Sequence, residues 1–279
     1  MINKQDQNVS GNGVAVQAQR DAIINNGLSV SDVKELTELF LDKHLPALRA
    51  EAAETARKQA NQFMGEFVKK LSLPNGVTAE AFAKPDSQAC FNEALRSSAE
   101  KGDQIDLEFL ASLVVRRLEV DKDPLMKLVY EEAISVTPKL TSAQIAFIVF
   151  VHHVTNIELA NPTIEMLERD AQMLLPLVKA SYGLSIANKE YLVSKGILNV
   201  AVARGLNATD IREHYRKDVV NYPKSAADVK SKYPNFWEFT ERCAENSIVV
   251  CKLTTTGKLI ALSAMEPVYG RLDFSIWIN

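Results

Sequence analysis

The chain is poor in cysteine and tryptophan and has no long apolar run. Its three cysteines among 279 residues, Cys90, Cys243 and Cys251, lack any paired spacing of the metal-site or redox kind. Scattered thiols of this sort suit a reducing compartment, where each serves as a small buried hydrophobe. The longest apolar stretch, residues 145–151, falls far short of the roughly 18–20 residues that cross a bilayer. The opening MINKQDQNVSGNG has no apolar segment of the secretory type. These absences predict a cytoplasmic protein without a membrane span. A surplus of positive charge is also missing: 32 Lys and Arg face 35 Asp and Glu, for a net charge of −3. A nucleic-acid footprint would therefore be a local patch rather than a field over the whole protein.

Catalytic signatures are absent as well. No GxSxG, P-loop or GxGxxG occurs, and Gly11-Asn12-Gly13 introduces no helix of the required kind. His152 and His153 are adjacent, so on a helix they point about 100° apart, and no HExxH spacing follows. They are expected to be core or interface histidines, with a pH-sensing role if one lies beside a carboxylate. No catalytic residue, metal or cofactor is assigned, and the protein is read as a non-enzyme.

What the chain does contain is helix punctuation. Residues 1–28 form an Asn-, Gln- and Gly-rich arm in which Val14, Val16 and Ala18 alternate with Ala15, Gln17 and Gln19. The arm reads either as a disordered tail or as a strand that pairs with another subunit. A helical collar follows over residues 29–138. Its first helix starts at Ser29–Asp32, is expected to break or kink at Pro46, and stops at Pro74-Asn75-Gly76. A stripe through Leu48, Ala52, Ala56, Ala60, Phe63, Phe67 and Leu71 marks its inner face. The alanines let another helix approach closely, within the chain or between subunits. Further helices read over residues 86–100 and 106–120. Another begins at Asp123-Pro124, with Asp as N-cap and Pro at the first position.

Residues 139–279 read as a winged-helix-like domain. AQIAFIVFVHHV is apolar on nearly all sides and belongs at a domain centre. Asn161-Pro162 is expected to start the next helix. A short helix over residues 187–195 ends at Gly196, a left-handed cap, and leads to a strand over residues 197–202. Residues 206–246 read as a helical insertion with a local aromatic core. A strand over residues 248–253 follows, then a helix capped by Thr254 or Thr255. The alternating run Leu272, Phe274, Ile276 and Ile278 is expected to seal a sheet edge. The fold class is thus mainly α with a minor α+β component.

The Leu-Thr helix start at Leu140-Thr141, YLVSKGIL and LTTTGKLIALSA together resemble the C-terminal half of the Abi-alpha (abortive infection alpha) family of bacterial proteins. The segment GNGVAVQAQRDAIINNGLSVSDVKELTELFLDKHLPALRAEA is similar to the leader of bacterial proteins from phage-defence neighbourhoods. The resemblance implies a role in abortive infection and transfers no catalytic residue. The expectation is a homo-oligomeric sensor or effector that binds a phage or host protein. Its candidate interface residues are Val14, Val16, Ala18, Ala52, Ala56 and Ala60. The alternative is a DNA-binding regulator reading through Lys189, Lys195 and Arg204. Nucleic acid is the less favoured partner because Glu190, Asp210, Glu213 and Asp218 interleave with the basic residues.

Overall fold

A computed structural model describes residues 30–72, 77, 79–120, 123–201, 205–270, 272, 274 and 276. Side chains are described from residue 49 onward, those of residues 79 and 80 excepted. The chain divides into two compact units, residues 1–52 and 53–279. The first unit is described only as backbone helix and its last few side chains. The arm with Val14, Val16 and Ala18 lies outside the described residues.

Helix α1 (Val30–Leu71) is one continuous helix, which corrects the expected break at Pro46. A proline removes one backbone hydrogen bond, and the remaining i→i−4 bonds carry the helix past it. Within the second unit, α1 buries Phe63 and Phe67 and leaves Leu71 partly buried, as the stripe predicts. Helices α2 (Ala79–Ala83) and α3 (Pro85–Lys101) bring Phe82 and Phe91 against them. The Phe67 and Phe91 rings lie 5.0 Å apart, and Phe82 meets Phe91 edge-on at 5.5 Å. The chain comes close to α1 again at Gly102, where a Cβ would sit 2.6 Å from Gln59 Cγ. The Gly102 N–H donates to Gln59 Oε1 at 3.3 Å.

Helices α4 (Leu107–Glu119) and α5 (Pro124–Val136) start where their caps place them. Asp106 accepts from the Phe109 N–H, and Asp123 accepts from the Leu125 and Met126 N–H groups. Helix α6 (Ser142–Asn156) opens with a full capping box, in which Thr141 and Gln144 exchange side-chain and backbone bonds. Phe147, Ile148, Val149, Phe150 and Val151 are all buried, so the all-round apolar helix is the central one. Residues on both sides of position 138 join a single apolar core, from Leu110 and Tyr130 to Leu174, Phe239 and Leu259.

Helix α7 (Ile164–Val178) is capped by Thr163, not by Asn161-Pro162 as expected. Pro162 O instead accepts from the Val220 N–H, and Asn161 takes a left-handed φ of 47°. Helix α8 (Ile186–Ser194) ends at Gly196 with φ 69°, the left-handed turn its glycine predicts. Strand β1 (Leu198–Val200) then pairs antiparallel with β2 (Cys251–Leu253), Leu198 opposite Leu253. Between the strands stand α9 (Ala208–Asp218), α10 (Ala226–Lys232) and α11 (Pro234–Glu245), the expected helical insertion. Residues 248–250 form a 3-10 turn, so the second strand is shorter than its sequence suggests. Helix α12 (Thr255–Tyr269), capped by Thr254, closes the core.

The alternating terminal run forms no third strand among the described residues. Phe274 is buried against Tyr130, while Ile276 is 71% exposed. A packing ring, rather than a sheet edge, decides its position. The fold is mainly α with a minor α+β component.

Candidate functional site

A groove of about 710 Å³ opens between α4, α6 and α12. Its lining is mixed, with Phe109, Ile145, Ala146, Val149, Leu177 and Ala264 among the apolar residues and Gln104, Asp106, Glu108 and Glu266 among the polar ones. That volume falls within the roughly 300–1,000 Å³ common for small-molecule sites. Four hydroxyl residues, Ser112, Thr137, Ser142 and Ser263, also line the groove. Ser112 Oγ donates to the Phe109 carbonyl at 2.7 Å. Thr137 Oγ1 and Ser263 Oγ are different: both are buried and neither has a hydrogen-bond partner. Thr137 is 2% and Ser263 6% exposed. An unmatched buried hydroxyl costs about 1–3 kcal/mol, and both oxygens lie beneath the groove's surface rather than open to it.

Charges at the rim are already matched. Lys70 Nζ bonds Glu108 Oε1 at 2.7 Å, and Arg116 Nη2 bonds Glu266 Oε1 at 2.5 Å. Asp106 is engaged as the α4 cap. The Lys70 ammonium holds the Glu108 carboxyl below its usual range, first by its hydrogen bond and then by its charge.

The two histidines sit where the sequence places them, in the core of α6. His153 Nε2 lies 2.8 Å from Asp170 Oδ2 on α7. Tyr269 on α12 donates to the other oxygen of that carboxylate at 3.3 Å. His152 is fully buried, and burial pushes its pKa down to about 4, helped by the neighbouring His153 and Lys258. Among the described residues no group of three His, Cys, Asp or Glu is placed to hold a metal. Burial raises the pKa of all three thiols, with Cys90 pushed up to about 12.

The interface candidates on α1 differ in exposure. Ala52 is exposed, and Ala56 and Ala60 are half-buried. The nucleic-acid candidates are not brought together as free cations. Lys189 Nζ donates to the Asn246 carbonyl at 2.7 Å and lies over the Phe147 ring. Lys195 lies 5.0 Å from the Tyr191 ring, and Arg204 falls outside the described residues. In the insertion, Arg212 stacks 3.8 Å from the Trp237 ring centroid and bonds Thr240 and Glu241. Phe236 and Phe239 are buried with Tyr215 packed edge-on to Phe236, and they join the main apolar core, Phe239 lying 6.0 Å from Phe150, rather than the separate local core the sequence suggests.

Sequence reasoning passed over Thr137 and Ser263. Ser263 is visible in the chain as a lone hydroxyl among apolar residues and Thr137 is not, and the lack of partners of both exists only in three dimensions. Among the described residues no helix is long and apolar enough to cross a membrane. No curated protein and no solved structure matches the chain. A family model whose description reads only ":-like" matches residues 27–222, more than half of the chain, and the chain belongs to that family.

Proposed function

We propose that the protein is a non-enzymatic interaction protein that assembles with copies of itself in the cytoplasm. In this reading it acts as a sensor or effector of bacterial anti-phage defence and engages a phage or host protein. The observation that supports assembly is the exposure of α1 over residues 49–58. Over residues 49–58 its side chains are exposed or half-exposed, and the small ones are Ala50, Ala52, Ala53 and Ala56. A solvated helical stretch gains little stability alone, and alanines allow a second helix to approach closely. The defence role is supported by the resemblance of the Leu140-Thr141 helix start, YLVSKGIL and LTTTGKLIALSA to the Abi-alpha family.

Light scattering on the full chain tests the assembly. A mass of two or more chains is expected, and it should fall when Ala52 and Ala56 are both changed to Glu. A monomer at tens of micromolar would sink the reading. In cells, expression of the full chain should lower phage plaque counts, and the double variant should restore them.

A regulator reading has one observation in its favour, the order of α8, β1 and β2 with α8 at the surface. It requires duplex DNA binding at low salt, where phosphate attraction is strongest. The internal bond of Lys189 leaves that reading second.

A further inference from the structure

We propose that one face of α8 is a second self-assembly surface, on which two copies of this chain pack antiparallel about a two-fold axis. The inference rests on the reading that copies of the chain assemble, and it names a contact in which α1 takes no part. A groove of about 400 Å³ lies between α8 and the end of the β1–β2 pair. From α8 it is lined by Ile186, Lys189, Glu190 and Val193, at the i, i+3, i+4, i+7 spacing of a single helical face. Val200 and Val250 line it from the strands. Three of its aliphatic residues are open to solvent, Ile186 at 74%, Val200 at 45% and Val193 at 41% exposure. Aliphatic groups gathered on one groove in this way are what protein contacts cover.

Both charges on the face lack a counter-ion within the chain. Lys189 Nζ donates to the Asn246 carbonyl at 2.7 Å and lies over the Phe147 ring, and among the described residues no carboxylate pairs with it. Glu190 is exposed and pairs with no cation among the described residues.

The order of residues along α8 selects a second copy as the occupant. A two-fold contact requires a surface that complements itself. From Ile186 the face runs apolar, basic, acidic, apolar; in the opposite direction it runs apolar, acidic, basic, apolar. Antiparallel packing about an axis between Lys189 and Glu190 sets Ile186 of each copy against Val193 of the other. It also sets Lys189 of each copy against Glu190 of the other. Parallel packing would bring like charges together. An ammonium has three donors, so Lys189 has two left after its bond to Asn246. The aliphatic groups leave water, and the paired charges fix the register.

Disulfide trapping on the full chain tests that register. Residues 186 and 193 are about 10 Å apart along the helix, beyond the roughly 7 Å that a disulfide spans between Cα atoms. The Ile186→Cys/Val193→Cys variant therefore closes no such bond within one chain, and mild oxidation should give a covalent dimer. Either substitution alone should leave a single chain on a non-reducing gel, because antiparallel packing holds each position away from its own copy. The Ala52→Glu/Ala56→Glu chain, with the α1 contact broken, should remain a dimer by light scattering. Adding Glu190→Lys, an exposed change that leaves the far-ultraviolet circular dichroism native, should weaken that dimer at least about tenfold. A monomeric Ala52→Glu/Ala56→Glu chain and no trapping overturn the α8 contact and leave assembly through α1 standing. A wild-type chain that is itself monomeric overturns both. Equal trapping of the single and paired cysteine substitutions also overturns the proposal, since chance collision gives that pattern. So does saturable binding of the uncharged fluorophore N-phenyl-1-naphthylamine to the dimer, lost in Ile186→Glu, which would give the groove to a small apolar ligand.

Discussion

Arg117 donates to one oxygen of Glu131 twice, from Nε at 2.9 Å and from Nη2 at 2.5 Å, while only 2% of the arginine is exposed. Asp86 accepts a further bond from Nη2 at 2.8 Å. The cation thus ties α3, α4 and α5 together from inside. Glu131→Leu leaves Arg117 half-matched in a buried site. Because Asp86 remains, the loss should be about 2–3 kcal/mol, below the full cost of an orphaned buried charge. Urea denaturation with an unchanged slope checks it, and a shift under half a kcal/mol would contradict the account.

His152 makes stability depend on pH in a definite window. Its folded pKa is about 4 and its ordinary value 6.5, so between these the unfolded chain binds a proton that the folded chain refuses. Stability is therefore intact above pH 6.5 and falls as the pH drops toward 4. The contribution is on the order of 3 kcal/mol across the window. Replacing His152 with Leu should flatten this part of the stability–pH curve. Parallel curves for the two proteins would show that another group carries the dependence.

Helix α11 has no capping side chain of its own at Tyr233. The Glu168 carboxylate on α7 serves instead, accepting from the Asn235 N–H at 3.2 Å and the Phe236 N–H at 2.7 Å. Glu168→Ala should cost about 1–2 kcal/mol, the range of a lost N-cap. Hydrogen exchange should quicken first in the opening turn of α11.

Gly257 is a site of close approach. A Cβ there would meet the Ile197 carbonyl oxygen at 2.5 Å, and that oxygen already accepts from the Thr254 N–H at 3.0 Å. Alanine must push the start of β1 away from α12, at a cost of about 1–3 kcal/mol. Calorimetry should show a lower melting temperature, even though alanine is the better helix former.

The helix starts were legible because each depends on a few adjacent residues. Asp123 caps where its spacing says it should, Thr141 and Thr254 are the ones that cap out of two adjacent candidates each, and Gly196 turns left-handed where the strand follows. Two of the misread boundaries share one cause. At Asn161-Pro162 a bond from Val220 outweighs the local signal, and the alternation through Phe274 yields to a ring contact with Tyr130. Distant partners overrule local pattern in both places.

By itself the sequence determined the helical class, the central apolar helix and the buried, unpaired character of its cysteines. Caps, apolar periodicity and scarce thiols are local or compositional, so no folding is needed to see them. Only the tertiary structure decided which polar groups found partners. Arg117 and Thr137 are both polar and almost fully buried, yet one meets two carboxylates and the other has no hydrogen-bond partner for its hydroxyl. Hydrogen bonds between residues far apart in sequence follow from how the helices cross, and that crossing leaves the hydroxyls of Thr137 and Ser263 buried without a partner.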